Sequence, residues 1–135
     1  MNGFAARLRV VLCAIMIGFA LTGSALAEKL VVAKYRTREP IEKVFDEAVR
    51  AITTEKYVLR LADKSQGTVQ AVRMSWGSGT EYASVFISLH QSADGTSVEA
   101  TFSRHPGCVG GGSPQHWAKR FEDDLKATLP DLAAE

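Results

Sequence analysis

The chain has 135 residues, of which 46% are hydrophobic, with 16 basic and 15 acidic side chains. That length allows one domain with a modest core. The near-neutral balance argues against nucleic acid or an anionic membrane surface as a partner, since both call for a basic patch.

The N-terminus reads as a leader. Arg7 and Arg9 precede an apolar run from Val10 to Leu21, and Ala25-Leu26-Ala27 follows as a small-residue cleavage site. This is the pattern of a secretory signal peptide over residues 1–27. The run is shorter than the about 20 residues a membrane-spanning helix needs, and an uncleaved N-terminal anchor is the alternative. Cys13 follows Val11-Leu12, where a lipidation box would want small residues. The leader holds two basic and no acidic residues, so residues 28–135 carry a net charge of −1. We expect a periplasmic or secreted protein with no stable membrane anchor after cleavage. Cys108 is then the one remaining cysteine. In a compartment that favours disulfides it has no internal partner, so it is buried, free, a ligand or half of an intermolecular bond.

Beyond the leader, Lys29 to Tyr35 is β-rich and predicts a strand at a sheet edge, blunted by its lysines. Pro40 suits the first position of a helix. Ile41, Val44, Phe45, Ala48, Val49 and Ile52 then fall on one helical face. Glu39 with Lys43 and Asp46 with Arg50 are i,i+4 pairs for the wet side.

Four strands follow. Tyr57 to Asp63 places Tyr57, Leu59 and Leu61 on one face. Thr68 to Trp76 has Val69 and Ala71 on one side and Val72, Met74 and Trp76 on the other. Tyr82 to His90 is the clearest: Ala83, Val85, Ile87 and Leu89 face one way, and Tyr82, Ser84, Phe86, Ser88 and His90 the other. Asp94-Gly95 signals a hairpin into Ser97 to Arg104. Ser113-Pro114 opens the last helix, with Trp117, Phe121, Leu125 and Leu129 on its apolar stripe. Pro130 stops it, and the final residues are expected to fray.

Short connections imply antiparallel neighbours. The predicted fold is therefore α+β. It is a two-layer sandwich in which a meander sheet of four to five strands carries two helices on one face, in the order β-α-β-β-β-β-α. The opposite sheet face is left partly open. This element order, with the phrase Glu55-Lys56-Tyr57-Val58-Leu59 after the first helix, resembles small bacterial envelope domains of helix-grip type, such as the domains of BamC-like outer-membrane assembly lipoproteins. The resemblance implies a non-enzymatic envelope protein that binds or scaffolds other proteins. It assigns no functional residues, and this chain lacks the lipidation site of those proteins.

Two regions carry candidate chemistry. One is the open sheet face, where Trp76, Tyr82, Phe86 and His90, with Met74 nearby, form an aromatic partner surface. The other is the loop from Ser103 to Trp117. His105, Cys108 and His116, with His90 as a further donor, offer imidazole and thiolate for a metal. Cys108 with His105 or His116 also has the composition of a thiol nucleophile and base. Gly110-Gly111-Gly112-Ser113 at a helix start offers backbone amides to an anion, without the P-loop or dinucleotide pattern. The favoured reading is a protein-binding module with no enzymatic activity and no cofactor. A metal- or thiol-dependent protein centred on Cys108 is the alternative.

Overall fold

The computed structural model describes residues 29–106 and 111–135. The expected signal peptide and Cys108 lie outside the described residues. The elements are β1 (Lys29–Thr37), α1 (Ile41–Thr54), β2 (Val58–Asp63), β3 (Thr68–Met74), β4 (Glu81–Ser92), β5 (Gly95–Arg104), α2 (Pro114–Thr128) and β6 (Ala133–Ala134). The strands form one antiparallel sheet in the order β2-β3-β4-β5-β1-β6. Residues β2 to β5 make the expected meander, because each turn is too short for anything but a return alongside.

Both helices cover the same face of the sheet. Val44, Phe45, Ala48 and Ile52 from α1 and Trp117, Phe121 and Leu125 from α2 are buried in one cluster with the inward residues of β3, β4 and β5. These helix residues are the ones that the 3.6-residue period places on a single stripe. At the centre, the Phe121 ring meets Phe102 edge-on at 5.7 Å and Tyr35 at 6.4 Å. Ser113 caps α2 as expected, its Oγ accepting from the His116 amide at 3.2 Å. α1 starts without a side-chain cap, and its first turn closes through the Pro40 carbonyl, which accepts from Val44 N at 3.1 Å.

The sheet departs from expectation in four places. It has six strands rather than four to five, because the C-terminal residues do not fray. Leu129 and Leu132 are buried, and Ala133–Ala134 pair with Tyr35–Arg36. The Asp131 carboxylate accepts from Thr37 Oγ1 at 2.6 Å and from Arg38 N at 2.7 Å. Second, β1 is not an edge strand along its whole length. It pairs with β5 over nine positions, and β6 covers its C-terminal end. Third, a bulge in β2 between Leu59 and Leu61 breaks the expected alternation. Leu61 pairs with Gln70 and so faces away from the helices, while Tyr57 lies buried just before the strand. An extra residue reverses the side-chain parity of everything beyond it.

The fourth departure is a second irregularity, at the start of β4. Arg73 pairs with Ala83 but Met74 pairs with Glu81, leaving Tyr82 as the extra residue. β3 stops at Met74, so Trp76 belongs to the turn that follows.

Candidate functional site

Alternation from the buried residues defines the open face. Phe102, Ala100, Val85, Ile87, Val69 and Ala71 point to the helices, so their neighbours in sequence point outward. The pairing then lays two rows across the sheet. One runs Val58, Val72, Ser84, Ser103, Leu30. The next runs Leu61, Gln70, Phe86, Thr101, Val32.

Large apolar side chains stand at both ends of these rows and at the centre of the second. Leu30 is 59% exposed, Val32 51% and Phe86 42%, and Val58 and Leu61 are also exposed. Between them lies a shallow depression of about 250 Å³ floored by small or polar residues, with Arg60, Val72, Ser84, Phe86 and Ser103 around it. Ser84 Oγ and Ser103 Oγ share a 2.5 Å hydrogen bond across the strands.

The other end of the same face is polar. Lys34 lies 4.0 Å from Glu99 and Arg36 3.1 Å from Glu135, and His90 Nε2 lies 3.1 Å from Ser88 Oγ. Arg60 pairs with Glu81 beside the apolar rows. The face is thus an apolar half bordered by mutually paired charges.

Of the four residues expected on this surface, Phe86 stands at its centre and His90 on its polar end. Tyr82 does not face outward. The irregularity at the start of β4 turns it toward the helices, where its ring meets Trp117 at 6.2 Å and 61°. Trp76 is fully exposed, but on the β3–β4 turn. Sequence reasoning missed Leu30, Val32, Val58 and Leu61. Leu30 and Val32 carried a usable signal, since they alternate with Val31 and Ala33. Val58 and Leu61 depend on the β2 bulge.

The histidines of the loop sit on different elements. His105 follows β5, and its amide donates to Tyr82 O at 3.0 Å. His116 is exposed in the first turn of α2. Among the described residues, no group of three or more His, Cys, Asp or Glu side chains could hold a metal ion. Also among the described residues, no helix is long and apolar enough to cross a membrane.

A charged cluster lies on the helix side, where α1 ends. Arg73 is the next inward position after Val69 and Ala71, and its guanidinium lies 4.6 Å from the Tyr57 ring centre and 5.5 Å from that of Trp117. Its Nη2 donates to Glu55 O at 2.7 Å. The Glu55 carboxylate lies 3.8 Å from Arg73 and 2.9 Å from Arg120 Nε. Burial pushes the Tyr57 hydroxyl up to about 12, against the opposing pull of Arg73. An arginine on a core-facing strand position was visible in the alternation and marks a place where the core turns polar.

Asp124 adds a second carboxyl beside Glu55. Desolvation, then the neighbouring Glu55, pushes its pKa up, which Arg50 and Arg120 only partly offset. A carboxyl with a raised folded-state pKa costs stability once the pH exceeds its unfolded value of about 3.9, and the cost is complete above the folded pKa. Asp124→Asn is therefore expected to raise the unfolding midpoint at neutral pH. The gain over the parent chain fades as the pH falls through the folded pKa toward about 4. Urea unfolding of both proteins across that range measures it.

The fold and face define a small α+β protein with one uncovered antiparallel sheet surface. No protein-family model matches the chain, and no curated protein matches it. Solved structures do align with it. A crystal structure of a protein from Chromobacterium violaceum is 11% identical, with a TM-score of 0.41, and covers 74% of this chain and 96% of its own. One from Mesorhizobium loti is 12% identical at a TM-score of 0.44, covering 73% and 95%. Another, from Rhizobium leguminosarum, is 12% identical at 0.44, covering 75% and 93%. Likeness at this level carries no functional argument.

Proposed function

We propose that this chain is a small secreted or periplasmic protein of the cell envelope that acts by binding a protein partner through the open face of its sheet. The observation that carries the reading is the set Leu30, Val32, Val58, Leu61 and Phe86. Five large apolar side chains from three strands stand exposed on one surface. Exposed apolar side chains set around a shallow, polar-floored depression with a charged border fit a protein interface, which mixes apolar anchors with polar contacts. The leader pattern at Arg7, Arg9 and Ala25-Leu26-Ala27 supports the location, and the resemblance of the element order to that of helix-grip envelope domains supports the role.

The partner expected is an apolar surface of comparable size with polar groups at its margin. Photo-crosslinking residues placed at Val32 or Leu61, and at Lys126 or Glu42 on the exposed sides of the helices, test this in intact cells. The expected result is one adduct of defined mass from the sheet positions and none from the helix positions. Adducts from the helix positions alone, or from no position, overturn the reading.

A further inference from the structure

We propose that the cleft between the C-terminal end of α1 and the first turn of α2 binds a small oxyanion, a carboxylate or a phosphate group. The cleft has a volume of about 360 Å³ and is lined by Lys56, Arg73, Gly112, His116, Trp117 and Arg120, with Glu55 in its wall. A second hollow of about 520 Å³ opens beside it on the other side of Lys56, Arg73 and Gly111. It gives room for the rest of a ligand whose anionic group sits in the first.

The charge count favours an anion. Lys56, Arg73 and Arg120 face the cleft, Glu55 is the carboxylate that lines it, and Asp124 is the second carboxyl beside Glu55. Glu55 is shared between the two guanidinium groups, so three cationic groups meet two carboxyls. Lys56 makes no ion pair among the described residues, so cationic charge is left over. Arg73 sharpens this. Its side chain is only 18% exposed, and its guanidinium is held in place over the Tyr57 and Trp117 rings and by the Glu55 carbonyl. An oxyanion in the cleft is an acceptor of the right charge for the guanidinium.

The backbone supplies an independent observation. Lys56 has φ +66°, the left-handed region, and is the one non-glycine residue among those described with positive φ. It follows α1, with its amide donating to Thr53 O and the Tyr57 amide to Ile52 O. Glycine is the residue that this helix-ending position ordinarily takes, and a lysine there is strained by about 1 kcal/mol or more. The folding requirement of the turn is therefore met better by glycine. What lysine adds is an ammonium group on the cleft wall. Gly112, at φ +94°, lies so close to Trp117 that a Cβ there would sit 2.6 Å from its Nε1, which keeps the opposite wall free of side chain.

The test uses the mature chain with Trp76→Phe, so that Trp117 is the one fluorophore of its kind. Sodium phosphate and sodium succinate are titrated in separate arms against sodium chloride at matched ionic strength. The expected result is a saturable change in Trp117 emission with one or both anions and none with chloride. A response to phosphate alone assigns phosphorylated ligands, and a response to succinate alone assigns carboxylates. In Lys56→Gly and in Arg120→Gln, binding of the responding anion weakens about ten-fold or more. Lys56→Gly also keeps or raises the melting temperature, which separates lost binding from lost folding. No saturable response in either arm, or undiminished affinity in Lys56→Gly, overturns the proposal. Neither outcome bears on the open sheet face, which this cleft does not touch.

Discussion

Replacing Gly95 with alanine is expected to lower the stability of the folded chain by about 3–5 kcal/mol, a large share of the roughly 5–15 kcal/mol that holds a domain of this size together. Gly95 begins β5 at φ +142°, and a Cβ built on it would lie 2.1 Å from the Thr37 carbonyl oxygen and 2.7 Å from Arg38 Cα. Both obstacles are backbone atoms, so no side chain can swing aside. They are also held in place. Thr96 Oγ1 donates to Glu39 O at 2.8 Å, and Thr37 and Arg38 are tied to Asp131. The β4–β5 hairpin, the link from β1 to α1 and the C-terminal tail all meet at this glycine. Left-handed strain and overpacking add there rather than substitute for each other. Urea unfolding measures the effect as a lower midpoint at unchanged slope. An unchanged midpoint would mean that residues 37–38 do not pack against the hairpin.

The second large effect concerns binding. The pair Val32→Asp and Phe86→Asp places two negative charges on the apolar half of the open face. Both side chains are exposed, and Phe86 lies on a strand paired on both sides while Val32 pairs with β5, so the cost to folding is expected to be about 1 kcal/mol per substitution or less. Partner affinity, by contrast, is expected to fall roughly thirty-fold or more, because charges buried in an apolar contact are desolvated without compensation. Trp76→Ala is the matched control. Trp76 is the most exposed aromatic of the described residues but stands on the β3–β4 turn, and its removal is expected to leave binding unchanged. Loss of binding with Trp76→Ala and not with the double variant would move the interface to that turn. Affinity of the purified variants for the partner identified by crosslinking measures both.

Much of the scaffold was legible because its signals are local. The stripe Val44, Phe45, Ala48, Ile52 reports a helix whatever it packs on, and Ala83, Val85, Ile87, Leu89 reports a strand with one buried side. Asp94-Gly95 marked the hairpin, and Ser113-Pro114 marked the start of α2. The site was less legible. The expected surface of Trp76, Tyr82, Phe86 and His90 retains Phe86 and His90, loses Tyr82 to the helix side and Trp76 to a turn, and gains Leu30, Val32, Val58 and Leu61. The charged cluster at Arg73 was announced only by a basic residue at an inward-facing position.

The amino-acid sequence by itself determined the α+β class, the order of the main elements, the meander and the helix stripes, since each follows from side-chain period and turn chemistry within a few residues. The tertiary structure decided which residues meet. The bulge at Leu59–Leu61 and the irregularity at Tyr82 arise from pairing with a neighbouring strand, and each reverses which side of the sheet the next residues face. The sixth strand depends on Asp131 reaching Thr37 and Arg38, more than ninety residues away in the chain. The cleft depends on Lys56, Arg73 and Arg120 converging from the end of α1, from β3 and from the body of α2. No sequence period encodes such distant partners, and packing is what brings them together.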